Sequence, residues 1–215
     1  GFGRLPSTDD LLRLKTALEA GQNDCAAALA LLRTVAVPAF VNEPIRCAAL
    51  IPRDEAFFFG DTVRLSDGFE VPVDQYLALT NERAIAHSHA KFSLHDNRSY
   101  MVGALARLSL HGDRIQGAAR EAWNAVGLTV PSTNIVGNNL AQFVELVYSV
   151  EHALEIVTAL LARGIADEPP VQVEIQAGEG TAATEVPRGT LFHRYVLDAD
   201  GCVVAADVIT PTAQN

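Results

Sequence analysis

One arginine near the end of the sequence stands in a stretch rich in glycine and proline, where a turn can present its side chain. Pro187 and Gly189 flank Arg188, and Pro211 and Thr212 follow in a second small polar loop. Proline fixes φ before the arginine, and glycine permits close approach of the backbone. A fixed guanidinium, a hydroxyl and backbone N–H groups can bind a small anion where water is excluded. We therefore predict a functional loop over residues 178–189, and the alternative is that this loop is an ordinary connection between two strands.

Two other charged residues, Glu185 and Arg107, are candidates for ion pairs. Glu185 is close enough in sequence either to pair with a basic group or to hold Arg188 in place. Arg107 lies inside the apolar run YMVGALARLSL at residues 100–110. Because an unpaired buried charge costs several kcal/mol, roughly, we expect Arg107 to be a paired interior arginine.

Histidines form a second candidate cluster. His87, His89, His95 and Asp96 lie within ten residues, and on a strand His87 and His89 would share one face, which is plausible metal geometry. A polar surface segment is the interpretation we favour, because no third fixed ligand is evident. For His193, five residues after Arg188, a structural role is favoured over donation to a buried partner near the site.

The cysteines Cys25, Cys47 and Cys202 are odd in number, widely spaced and form no Cys-x-x-Cys pair. This usage is typical of a reducing compartment and of buried thiols rather than of a disulfide framework. We therefore predict no metal-ligating residue in this chain. A Gly-x-Ser-x-Gly elbow is also absent from the sequence, so a hydrolase has no support.

Composition restricts the class of protein further. The 215 residues carry a net charge of −10, from 16 Lys+Arg against 26 Asp+Glu, and 49% are hydrophobic. A core can form, and the acidic balance makes nucleic acid a poor partner. No uninterrupted apolar run reaches about 18 residues, so we expect no membrane span. The cysteine usage, which suits a reducing compartment, leads us to expect a cytoplasmic protein. We expect one domain over residues 1–215.

Periodicity and turn signals predict the elements that must position these residues. Helices are predicted from Ser7 to about 33, over 115–126 and over 139–163, and short strands over 45–51, 56–59 and 62–65. Asp-Gly at 200–201 predicts a hairpin of 191–197 with 202–209. Residues 171–175 alternate like a strand, and residues 100–110 fit a strand or a buried irregular segment. The fold class is α+β, with long helices packed with short antiparallel hairpins.

The same residues carry a family resemblance. Residues 178–215 resemble the large, catalytic subunit of nickel–iron hydrogenases, closest to the cytoplasmic group linked to NAD(P) or F420. The match is strongest at 185–189 with Pro211, Thr212 and Asn215, and it extends back to 1–7. The resemblance implies reversible H₂ cleavage at a nickel–iron centre with cyanide and carbonyl ligands. It implies Arg188 over the open face of the metals, Pro187 in the wall, and Thr212, after Pro211, as a donor to a cyanide.

The sequence departs from the family in one important respect. The family binds its metals through two Cys-x-x-Cys motifs, and this chain has neither. Soft thiolates are what such a centre requires. We therefore expect a central fragment of a larger subunit, inactive and without the centre on its own.

The resemblance also implies partners. It implies an iron–sulfur small subunit, with diaphorase-type or F420-linked subunits as further candidates. The alternative is a metal-free electron-transfer scaffold, like the quinone-site subunit of respiratory complex I, which keeps a Pro-Arg-Gly loop. The sequence TPTAQN at 210–215 favours the hydrogenase.

Overall fold

A computed structural model describes residues 5–38, 44–53, 57–167 and 169–215. The chain divides into two compact units. The first comprises Gly1–Pro38, Ile115–Leu128 and Gln142–Val173, and the second Ala39–Arg114, Thr129–Ala141 and Glu174–Asn215. The expectation of one domain over 1–215 stays a prediction.

Helices and short strands make up the described residues. The helices are α1 (Thr8–Leu32), α2 (Ala104–His111), α3 (Gly117–Val126) and α4 (Gly137–Arg163). The strands are β1 (Ala48–Leu50), β2 (Thr62–Leu65), β3 (Glu70–Pro72), β4 (Gly178–Val186), β5 (Gly189–Leu197) and β6 (Val203–Ile209). Short 3₁₀ helices cover Val73–Ala78, Gly112–Arg114 and Pro211–Ala213.

The first unit is helical, and side chains satisfy its helix starts. The Ser7 hydroxyl accepts from the Asp10 N–H at 3.1 Å, and the Asp10 carboxylate accepts from the Ser7 N–H at 3.0 Å. This is a reciprocal capping box. Hydrogen bonds from the backbone and side chain of Ser7 lower the pKa of Asp10 to about 2. At α3, the Glu151 carboxylate accepts from the Ala118 N–H at 3.0 Å.

The second unit contains two antiparallel sheets, β1–β2–β3 and β4–β5–β6. Their shared core is apolar, and Leu50, Leu65, Tyr76, Val102 and Phe192 are among its most buried members. Sheet faces of this kind must bury one side against another element. The core therefore holds β5, which leads out of the Arg188 turn, against the first sheet.

The predicted fold class is confirmed, and so are most of the elements. The helix starting after Ser7, the helices over 117–126 and 137–163, and the Asp-Gly hairpin are all present. α1 is one continuous helix through Gly21. Part of the run predicted over 56–59, and residues 1–4 of the resemblance, lie outside the described residues.

Three local predictions are wrong. Most of the predicted loop over 178–189 is strand β4, because it pairs residue by residue with β5. Residues 171–175 form no strand: Val171 and Val173 are 86% and 81% exposed, and alternation without a partner strand does not make one. The run over 100–110 contains α2, since Gly103 at φ +102° lets the chain change from extended to helical.

Among the described residues, no helix is both long enough and apolar enough to cross a membrane.

Candidate functional site

The candidate site is built on the turn between β4 and β5. These strands pair from Gly178 with Leu197 to Val186 with Gly189, which leaves Pro187 and Arg188 as a two-residue loop. Pairing over nine residues fixes the register, so the position of Arg188 at the tip is also fixed. Pro187 and Arg188 are both exposed.

A buried ion pair lies directly beneath the turn. Arg107 Nη1 donates to Glu185 Oε2 at 2.7 Å, and the two side chains are only 4% and 1% exposed. The other carboxylate oxygen, Oε1, accepts from the Leu50 N–H at 2.9 Å and from the Thr190 hydroxyl at 2.7 Å. The carboxylate is thus fully bound, which a buried charge requires. The expectation that Arg107 is a paired interior arginine is confirmed.

Arg107 also reaches the backbone of the turn. Its Nη1 donates to the carbonyl of Val186 at 3.0 Å, and its Nη2 to the carbonyl of Pro187 at 3.2 Å. The planar guanidinium presents several donors in a fixed arrangement, so one side chain can bind a carboxylate and two carbonyls together. The sequence predicted that Glu185 pairs with a base or holds Arg188; the structure shows the pairing, with Arg107 as the base.

The end of the chain fastens the turn from another side. Asn215 Nδ2 donates to the carbonyl of Arg188 at 3.1 Å, while its Oδ1 accepts from the Val102 N–H at 2.9 Å. Gln214 Nε2 donates to the carbonyl of Thr190 at 2.7 Å. The two residues that follow the 3₁₀ helix Pro211–Ala213 therefore bind the turn at Arg188 and the start of β5 at Thr190.

Two glycines allow the turn to lie close to the start of α2. A Cβ on Gly103 would stand 2.9 Å from the Arg188 carbonyl oxygen. A Cβ on Gly189, where φ is +135°, would stand 2.2 Å from Val102 Cγ2. Neither distance is possible for a real side chain, so these positions favour glycine on both steric and conformational grounds.

The predicted site residues fall into two groups by exposure. Arg188, Pro187 and Thr212 are exposed, and Pro211 is buried. Within the part of the chain that the structure describes, neither the Arg188 guanidinium nor the Thr212 hydroxyl has a hydrogen-bond partner. Both groups are thus available to a ligand. Because Pro211 is buried, it packs the 3₁₀ helix against the protein. The predicted contact of Pro211 with a cofactor stays a prediction.

A cavity of about 650 Å³ opens beside Asn215 and is also lined by Arg46, Arg98 and Tyr100. Arg98 is exposed, whereas the Arg46 guanidinium is bound by the buried His95. Burial raises the pKa of Tyr100 to about 12, so its phenol is neutral at ordinary pH.

The histidine cluster does not assemble into a metal site in the described residues. Arg46 Nη2 lies 2.8 Å from His95 Nδ1 and donates to it, because a guanidinium has no acceptor. His193 Nδ1 lies 2.9 Å from the Tyr195 hydroxyl, as the structural interpretation expected. Cys25 and Cys47 are buried, which raises the pKa of each thiol, but Cys202 is exposed, contrary to the expectation of buried thiols.

Sequence reasoning missed several residues that hold the site. Gly103 and Gln214 carried no signal of their own, because their roles depend on what lies next to them in space. Thr190 was also missed, although it stands opposite Glu185 in the register of β4 and β5. That pairing was predictable once the hairpin tip had been placed at 187–188.

Comparison with known proteins finds hydrogenase subunits among the relatives of this chain. The chain is 36% identical over 216 residues to the alpha chain of sulfhydrogenase 1 from Pyrococcus furiosus, covering 100% of the chain and 50% of the relative. It is homologous to part of a nickel–iron hydrogenase large subunit. The relatives also include the vhu F420-non-reducing hydrogenase of Methanococcus voltae, matched at 29% identity over 170 residues, covering 74% of the chain and 40% of the relative. No protein-family model matches the chain.

The fold agrees with this hydrogenase assignment. A solved NAD⁺-reducing [NiFe]-hydrogenase in the H₂-reduced state superposes with a TM-score of 0.72 at 22% identity, covering 100% of the chain and 52% of that structure. The chain thus spans about half the length of the hydrogenases it matches. These relatives favour the hydrogenase over the complex I scaffold, which none of them supports.

The residues of this chain fit a position beside a nickel–iron centre, but they do not fit its set of metal ligands. Its cysteines are single, and two are buried, so they do not provide the thiolates that the metals need. A guanidinium and a hydroxyl, such as those of Arg188 and Thr212, are donor groups that form hydrogen bonds with anions.

Proposed function

We propose that this chain is the arginine-bearing central part of a nickel–iron hydrogenase large subunit, which is an oxidoreductase that converts H₂ reversibly into two protons and two electrons. One observation carries the proposal. The backbone of the 187–188 turn is tied down at successive carbonyls, while the Arg188 guanidinium has no partner among the described residues. A backbone that is already held costs little reorganisation when the side chain it carries binds an anion.

Each predicted residue has a distinct part in this proposal. Arg188 donates hydrogen bonds and positive potential to the ligands of the centre, and Thr212 donates its hydroxyl to a cyanide. Pro187 shapes the wall beside them, and Pro211 sets the start of the 3₁₀ helix that carries Thr212. The centre, with cyanide and carbonyl ligands on iron, supplies the redox chemistry when bound. Its thiolate ligands come from outside this chain, which alone is inactive.

The proposal extends to the surroundings of the whole protein. Electrons from H₂ leave through an iron–sulfur small subunit, from which they pass to diaphorase-type or F420-linked subunits in the cytoplasm. The relatives named above are hydrogenases by name, which supports membership of a hydrogenase complex. The net charge of −10 agrees with a partner other than nucleic acid.

Arg188→Lys in the full-length subunit tests the proposal. Lysine keeps the charge but not the planar fork, and losing one preorganised donor lowers turnover on the order of 10²–10³-fold in other enzymes. We expect that loss in H₂ oxidation with unchanged nickel content. Arg83→Lys is the matched control, because Arg83 is also in the second unit and outside the proposed site. Near-normal turnover with full nickel in the Arg188 variant would contradict the role.

Thr212→Val removes the hydroxyl with little change in shape. Infrared spectroscopy of the loaded subunit should then show shifted cyanide bands, because one hydrogen bond to the ligand is lost. Thr210→Val is the control, since Thr210 is exposed and immediately precedes the 3₁₀ helix. Bands that coincide with those of the unmodified subunit would remove Thr212 from the site.

A further inference from the structure

Three successive carbonyls of the arginine turn all accept hydrogen bonds from side chains. Those of Val186 and Pro187 accept from Arg107, and that of Arg188 accepts from Asn215. Val186 pairs with Gly189, but Pro187 and Arg188 have no strand partner, so a turn at a surface ordinarily leaves their carbonyls to water. Side-chain donors at each carbonyl instead fix the peptide planes, and with them the direction in which Arg188 leaves the backbone.

The donor that binds two of these carbonyls is itself held rigidly. Arg107 is 3% exposed and its ion-pair partner Glu185 is also 3% exposed. Glu185 is in turn oriented by the Leu50 N–H and by the hydroxyl of Thr190, which is fully buried. The chain of contacts therefore runs from β1 and β5, through Glu185 and Arg107, to the backbone on both sides of the proline.

Stability alone does not account for this arrangement. Replacing a buried ion pair by well-packed apolar side chains is often neutral or stabilising, so a core does not need one. The ion pair instead orients the turn. The Glu185 carboxylate fixes the plane of the Arg107 guanidinium, and that guanidinium in turn binds the carbonyls of Val186 and Pro187.

We infer that Arg107 is a positioning residue for Arg188, acting through the carbonyls of Val186 and Pro187, with Glu185 and Thr190 as its supports. This inference rests on the proposed function of Arg188. Arg107 does not touch the ligands of the centre. It sets the conformation of the turn, so that the Arg188 side chain leaves the backbone at one place and in one direction before a ligand arrives.

Thr190→Val tests the inference without removing a charge from the core. It deletes the hydroxyl that orients Glu185, and Thr190→Ser restores it. In this chain, we expect the valine variant to exchange the backbone amides of residues 185–190, apart from Pro187, roughly tenfold faster, as the loss of about one hydrogen bond predicts. The serine variant should exchange like the parent. Equal exchange in all three proteins would overturn the inference.

Arg107→Lys provides the second measurement, in the full-length subunit. One ammonium group cannot bind the carboxylate and both carbonyls in a planar arrangement, so we expect faster amide exchange over 185–190 together with lower turnover at unchanged nickel content. Arg194→Lys, which alters a surface pair with Glu179 in the same sheet, is the control and should change neither. Lower turnover with unaltered exchange would also overturn the positioning role.

The two proposals fail in different ways. If Arg188→Lys keeps full turnover, the proposed function of the arginine is wrong, whatever the exchange rates show. If Arg188→Lys loses turnover but Thr190→Val and Arg107→Lys leave exchange over 185–190 unchanged, only the positioning role is wrong. Arg188→Lys itself should not alter that exchange, because the Arg188 side chain makes no hydrogen bond to the described residues of the turn.

Discussion

Glu185→Gln should destabilise the chain strongly, and the geometry sets the size of the effect. Oε1 of Glu185 accepts from Leu50 and Thr190, so the oxygen of the new amide belongs there. Its NH₂ group then faces Arg107 Nη1, where a carboxylate oxygen now lies at 2.7 Å. Two donors meet, and a buried guanidinium loses its counter-charge.

Breaking a buried ion pair by removing one partner costs about 3–5 kcal/mol. Arg107 keeps its bonds to the carbonyls of Val186 and Pro187, so we expect the lower end, about 3 kcal/mol. For a chain of this size, each kcal/mol lowers the Tm by about 2–4 °C, which predicts a fall of roughly 6–12 °C. Thermal unfolding followed by circular dichroism measures it directly.

The matched control is Glu179→Gln. Glu179 pairs with Arg194 at 2.6 Å, but its side chain is 53% exposed, so water and salt screen the interaction. The control should change the Tm little, and less still in 1 M salt, where charges are screened over about 3 Å. A Glu185 variant that unfolds at the same temperature as this control would refute the argument that the buried pair anchors the turn.

Two further predictions concern stability. Burial, with nearby Arg64, lowers the pKa of His111 from 6.5 to about 4, so the unfolded state binds the proton first and the free energy of unfolding falls as pH falls from about 6.5 to 4. The loss is roughly 3 kcal/mol, and His111→Gln should flatten this part of a urea-unfolding profile; an unchanged slope would contradict it. Gly189→Ala places a methyl group 2.2 Å from Val102 Cγ2 at a positive φ, so we expect about 1–3 kcal/mol of destabilisation, and a parent-like Tm would contradict the close approach.

Much of the fold followed from local patterns. Ser7 with a carboxylate at Asp10 predicted the start of α1, and the Asp-Gly pair predicted the β5–β6 turn, because both signals act between neighbours in sequence. Residues 171–175 and 178–186 show where such patterns fail. Residues 171–175 alternate but lack a partner strand, whereas residues 178–186 have the composition of a loop but pair along their whole length with β5.

The candidate site, too, was predictable from the sequence only in part. The sequence by itself determined that Arg188 stands between a proline and a glycine, that Arg107 needs a partner, and that residues 210–215 resemble a hydrogenase. Only the tertiary structure decided that the partner is Glu185, 78 residues away, and that Asn215 joins the turn to Val102 across 113 residues. The physical reason is that turns and helix caps depend on adjacent residues, whereas a buried charge is satisfied by whichever distant groups the packing of the core brings within hydrogen-bond distance.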